Sequence, residues 1–119
     1  MISKDDVAAT DFTVPFNISR VPIPDKAIKQ RVSTYVVSHS EGYHEWFIGT
    51  SDDPETMLFV EHLVDREKGF YRNLTTEGAK STRRLLKYYA DKGMEADLSD
   101  LLNVHDRIYV YKKEKGTRP

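Results

Sequence analysis

Residues 31–50 read RVSTYVVSHSEGYHEWFIGT, and how they pair decides the fold. From Arg31 to His39 the run is rich in Val, Thr and Tyr, and after Ser40-Glu41-Gly42 a second such run extends from Tyr43 to Thr50. β-Branched and aromatic side chains suit a pleated, half-buried surface, and a glycine-containing break between two such runs marks a hairpin. With Glu41-Gly42 as a two-residue turn, the pleat sets Val37 opposite Trp46 and Tyr35 opposite Ile48 on one face, and Val36 against Phe47 on the other. Both faces are then apolar toward the middle. Glu-Gly is a weaker turn signal than Asn-Gly, and a slip of one residue exchanges the faces.

Downstream, Asp53 is placed as a helix N-cap, Pro54 stands at the first helical position, where its missing donor costs nothing, and Gly69 is the stop. Met57, Val60, Leu63 and Val64 fall on one stripe at 3.6-residue spacing, while Leu58 points nearly opposite and Phe59 lies at the margin. A second helix is predicted from about Glu77 to Lys92, capped by Thr75 or Thr76 and ended by Gly93, with Ala79, Leu85, Leu86, Tyr89 and Ala90 inward. Lys80, Arg84 and Lys87 then form one exposed row, flanked by Arg83 and Tyr88. A short helix, Asp97 to Asn103, leads to a last strand from Arg107 to Lys113, with Ile108 and Val110 on one face and Tyr109 and Tyr111 on the other.

Upstream, Pro15, Pro22 and Pro24 interrupt any regular element, so residues 1–29 read as an irregular arm. Phe12, Val14, Phe16, Ile18, Val21 and Ile23 make it too apolar for a free tail, and it is expected to lie across the domain or across a partner subunit. Residues 30–113 form the domain, and 114–119 a basic solvated tail. The expected class is α+β: a small antiparallel sheet, made of the hairpin and the C-terminal strand, packed by two main helices and one short one.

The chain of 119 residues is long enough for one core and too short for two. Apolar residues at 39% and charged residues at 31% place it with globular proteins. The 18 Lys and Arg against 19 Asp and Glu leave a formal charge of −1, so any attraction to phosphate or to anionic membranes must be local. No cysteine is present, which excludes disulfides, thiol nucleophiles and Cys-based zinc or iron–sulfur sites. Neither a signal-peptide pattern nor an apolar stretch of ~18 residues occurs, so the expectation is a cytoplasmic protein without a membrane partner.

Chemistry-bearing patterns are few. In the hairpin register His39 and His44 face each other, yet a third metal ligand is missing, and two exposed imidazoles are the plainer reading. His62 beside Glu61 has the chemistry of a general base, but its helical position is on the polar side and a solvated histidine accounts for it. There is no nucleophile elbow, zinc-protease pair, phosphate loop or calcium loop, and no cofactor motif. A metal-free ribonuclease would draw on Arg84, Lys87, Tyr88, His105, Arg107, Tyr109 and Tyr111, if the second helix packs beside the last strand.

Two binding surfaces are therefore the candidates, and they point away from an enzyme. A nucleic-acid face would use Lys80, Arg83, Arg84, Lys87 and Tyr88 with the tail residues Lys112 and Lys113, cations meeting phosphate and a ring available for stacking. A protein interface would use the aromatic and apolar residues hardest to place inside: Phe12, Phe16, Leu58, Phe59, Phe70, Tyr71, Tyr109 and Tyr111. The second is the leading expectation, a non-enzymatic regulatory module of adaptor or inhibitor type, with an unidentified protein or a second copy of the chain as partner.

Overall fold

The computed structural model describes residues 21–98 and 104–119. The class is α+β: three helices pack on a mixed, mostly antiparallel four-stranded sheet among the described residues. The helices are α1 (Asp25–His39), α2 (Pro54–Thr56) and α3 (Ala79–Lys92). The strands are β1 (Trp46–Thr50), β2 (Tyr71–Thr75), β3 (Glu95–Ala96) and β4 (Arg107–Lys112), in spatial order β2-β4-β1-β3. β4 runs antiparallel to both β1 and β2, and β3 lies parallel to β1.

The first half of the expected hairpin is a helix. Residues 31–39 belong to α1, and β1 pairs with β4 instead. The buried positions Ile28, Val32 and Val36 recur every four residues, so one helical stripe meets the sheet while Val37 is 71% exposed. Burial of that stripe outweighs the strand preference of its valines, as tertiary context commonly does. The pairing of Tyr35 with Ile48 and Val37 with Trp46 is thus replaced by a ring contact: Tyr35 meets Trp46 edge-on, centroids 5.4 Å apart.

Each sheet face carries its own core. Trp46, Ile48, Leu74, Ile108 and Val110 turn toward α1 and α3, where they meet Val32, Val36, Leu85, Leu86 and Tyr89. Phe47, Tyr109 and Tyr111 turn the other way, against Leu58 and Val64. The two faces expected of the last strand are observed. Gly49 lies opposite Tyr109 in the ladder, and a Cβ there would run into the Tyr109 phenol, so glycine lets that ring lie flat across β1.

The Asp53 cap is present, its carboxylate accepting from the Thr56 N–H at 3.3 Å. The helix behind it is shorter than expected: after Thr56 the chain widens into a π-turn over Met57–Glu61, with the His62 N–H reaching the Met57 carbonyl at 2.8 Å. Wider turns rotate the apolar face relative to a 3.6-residue period. Leu58 is consequently fully buried, whereas Val60, expected inside, is 60% exposed and Leu63 is exposed with φ 58°. α3 follows its expected course, with Leu85, Leu86 and Tyr89 buried and Gly93 (φ 118°) closing it, although Ala79 is exposed. The helix expected over Asp97 to Asn103 lies outside the described residues beyond Leu98, and Asp97 and Leu98 are not helical.

Candidate functional site: a groove beside the outer edge of β2

Among the described residues β2 is an edge strand, and the hydrogen-bond alternation of an antiparallel ladder says which of its backbone groups face outward. The Lys112 N–H donates to the Phe70 carbonyl at 2.9 Å and the Thr76 N–H to the Asp106 carbonyl at 2.7 Å. Even-numbered residues therefore pair with β4, and Tyr71, Asn73 and Thr75 turn their amides and carbonyls to the outer edge. Two outward carbonyls are met: Thr75 accepts from the Ile23 N–H at 2.9 Å, and Tyr71 accepts from the Arg72 guanidinium at 2.7 Å. Asn73 stands between them. It is only 7% exposed, yet no hydrogen bond from the described residues reaches its outward N–H or C=O. An edge strand with an unpaired main-chain N–H and C=O has the groups that a further strand would use.

Beside that edge runs a groove of about 600 Å³. One wall is a single stripe of α1, with Ala27, Gln30, Arg31, Thr34, Tyr35 and Ser38 following each other at three- and four-residue steps. Val32 and Leu74 contribute at its base, Arg72 and Asn73 form the strand side, and His39 closes one end. Among the described residues no carboxylate lines it, so Arg31 and Arg72 set a positive local potential in a chain that is nearly neutral overall. Arg72 is held by the opposite wall: its guanidinium lies 4.1 Å above the Tyr35 ring and donates to the Tyr35 hydroxyl at 3.2 Å. Burial pushes the Tyr35 phenol up from its ordinary value, against the opposing charge of Arg72, so at neutral pH it stays a neutral hydroxyl. His39 stacks on Phe70 at 4.7 Å, fixing the far end. The arrangement places main-chain groups, apolar surface and two cations along one strand edge.

The interface candidates divide. Leu58, Tyr109 and Tyr111 are buried in the second core; Phe59, Phe70 and Tyr71 are half-buried; Phe12 and Phe16 lie outside the described residues. Phe59 packs edge-on against Tyr71 under the Arg66 guanidinium, and Phe70 belongs to the groove's closed end through His39. Several of the basic candidates are paired with carboxylates. Lys80, Arg84 and Lys87 are exposed along α3, but the Arg84 Nε is paired with Asp25 at 2.9 Å. Arg83 and Tyr88 are half-buried, and Lys29 sits 4.2 Å over the Tyr88 ring. Lys112 and Lys113, at the end of β4, bind Glu45 and Glu95 instead. The residues proposed for ribonuclease chemistry are split by the sheet, with Arg84, Lys87 and Tyr88 on α3 and Tyr109 and Tyr111 on the opposite face.

His62 corrects its sequence reading. It is buried, not solvated, because the π-turn carries it inward between Phe47, Tyr109 and Tyr111. Its Nδ1 lies 2.8 Å from the Arg118 carbonyl, which only accepts, so Nδ1 carries the proton and Nε2 accepts from the Tyr109 hydroxyl at 2.9 Å. The Arg118 N–H returns to the His62 carbonyl at 2.7 Å. This imidazole fastens residue 118 to the sheet. His39 ends α1 and His44 lies in a short turn, so the cross-strand histidine pair does not form. Among the described residues, no three His, Asp or Glu side chains gather as metal ligands. No helix among them is long and apolar enough to cross a membrane. Compared with known protein families, characterised proteins and solved structures, the chain matches none.

The groove is not legible in the sequence because the Val, Thr and Tyr of residues 31–39 favour a strand, and a strand there has no helical stripe to wall it. β2 is likewise faint in the sequence: FYRNLTT has strand-forming residues, but Arg72 and Asn73 break the apolar alternation that marks a strand.

Proposed function

We propose that this chain is a non-enzymatic, cytoplasmic binding module that takes an extended segment of a protein partner along the outer edge of β2, as an adaptor or inhibitor would. The observation that carries the reading is Asn73, whose outward N–H and C=O lie without a partner from the described residues beside the groove. Strand addition uses such groups for affinity and the flanking pockets for specificity. Arg31 and Arg72 favour a segment carrying acidic side chains, with an apolar residue directed toward Leu74.

A displayed library of random ten-residue peptides, selected on the full chain, tests this. Selected peptides are expected to shift the Asn73 and Leu74 amide resonances. Asn73→Pro removes the outward donor without touching the β4 ladder, and should weaken binding about tenfold or more. Arg31→Glu should weaken acidic peptides selectively and flatten their salt dependence. Peptides that bind elsewhere, or that ignore Asn73→Pro, would end the proposal.

A further inference from the structure

Charge is unevenly shared between the two sides of the sheet. α1 carries three Lys and Arg residues against Asp25, and α3 carries five against Asp91, in a chain whose totals are 18 basic and 19 acidic. Across the sheet, the segment around Leu58 and Val64 holds Asp52, Asp53, Glu55, Glu61, Asp65 and Glu67, countered by Arg66 and Lys68. The helical side is therefore the positive pole of the molecule. We infer that the α1–α3 face binds single-stranded nucleic acid, its ammonium groups meeting phosphates while a base stacks on Tyr88. This is a second binding surface, independent of the β2 edge.

Three observations carry it. First, the two helices lie side by side and run the same way: Asp25, at the start of α1, meets Ser81 and Arg84, and Ser33, two turns on, meets Tyr89. Their seam brings Lys26 and Lys29 of α1 to the side of α3 that carries Tyr88 and Lys92, with Lys87 on the adjoining exposed row. Second, Tyr88 is flanked by two ammonium groups, the Lys29 Nζ 4.2 Å and the Lys92 Nζ 5.4 Å from its ring centre, and Lys92 also lies 6.0 Å from the Tyr43 ring. The two like charges are thus within about 10 Å of each other, near the screening length of physiological salt, and a phosphate between them relieves their repulsion. Third, these cations are not engaged elsewhere. Among the described residues Lys26, Lys29, Lys80, Lys87 and Lys92 form no ion pair with a carboxylate, Arg84 being the cation that Asp25 takes. An acidic polypeptide would satisfy the lysines and leave the ring unused, and a duplex keeps its base faces inside the stack. A single strand uses both, with little sequence preference because every base has a face to stack.

Fluorescence anisotropy of labelled oligo-dT and oligo-U, titrated with the full chain, is the test. Phosphate contacts from Lys26, Lys29, Lys87 and Lys92 give a log–log salt slope of about −3, so affinity should fall about fiftyfold between about 50 and 200 mM salt. The double variant Lys29→Gln, Lys92→Gln removes two charges and should halve that slope, weakening binding at the lower salt at least about tenfold. Tyr88→Leu should weaken binding about tenfold and leave the slope as it is. Asp91→Asn takes a carboxylate off the same face and should tighten binding about threefold, a gain that misfolding cannot produce. Binding that ignores salt or the double variant overturns the inference, as does no binding at the lower salt. So does a duplex, polyglutamate or a phosphatidylserine vesicle bound as tightly as the single strands, which would assign the face to duplex, acidic protein or membrane. Asn73→Pro should leave oligonucleotide binding unchanged, so each surface is tested without the other.

Discussion

At the scale of single residues, His62 shows how a local backbone change moves a side chain from solvent to core. On a 3.6-residue helix it belongs to the polar side; one π-turn places it among Phe47, Tyr109 and Tyr111, with both ring nitrogens bonded. Nothing in the residue types announces that turn, so its burial was not legible. His62→Phe keeps the ring but leaves the Arg118 carbonyl and the Tyr109 hydroxyl without their partner, and should cost about 1–3 kcal/mol. Urea unfolding measures this, and residues 117–119 should sharpen in NMR spectra as they come loose. A variant as stable as the parent, with an unchanged tail, would show that the imidazole does not hold residue 118.

Among the elements, α3 and β4 were readable because each states its period: Leu85, Leu86 and Tyr89 fall on one helical face, and Ile108 and Val110 alternate with Tyr109 and Tyr111. α1 was not, because Val32, Thr34, Val36 and Val37 carry strand propensity and only the four-residue spacing of Ile28, Val32 and Val36 betrays the helix. Its starting turn is tied to α3 through Asp25, which accepts from the Ser81 hydroxyl and the Arg84 guanidinium. Burial pushes the Asp25 carboxyl up, but the bonds from Ser81 and Arg84, with the charges of Arg84 and Lys29, outweigh it and hold the carboxyl below its ordinary 3.8. A carboxyl depressed in the native state stabilises it above the unfolded value, and that contribution is lost as pH falls through the lowered one. Asp25→Asn should therefore cost about 1 kcal/mol at neutral pH, reduced by the exposure of Arg84, and the gap to the parent should close below pH 3.8. Parallel acid titrations of stability for the two proteins check this; a gap that persists in acid would assign the effect to packing.

Across the whole molecule, the α+β class is legible and the sheet's membership is not, since among the described residues two of its four strands, β2 and β3, fall where the sequence reading assigns no strand. Burial on both faces leaves an alkaline signature. It pushes the Tyr89 phenol up to about 12, against the bond from Ser33, and raises Tyr109 and Tyr111 as well. An unfolded phenol ionises near 10, so the native state holds the extra proton and its stability is lost as pH rises from 10 through 12. Phenolate absorbance and circular dichroism should thus change together above pH 10 for part of the seven tyrosines. If all seven ionised near 10 with the dichroism intact, the burial of these rings would be refuted.

β4 is the last strand in the chain and sits at the centre of the sheet, where Trp46 pairs with Lys112 and Tyr71 with Tyr111. β1 and β2 touch only through it. A nascent chain therefore cannot join β2 to the β1–β3 pair until β4 has been made, and for that interval β2 and the facing edge of β1 are unpaired and open to chaperones or to misassociation. Such long-range pairing sets a slow folding step late in synthesis.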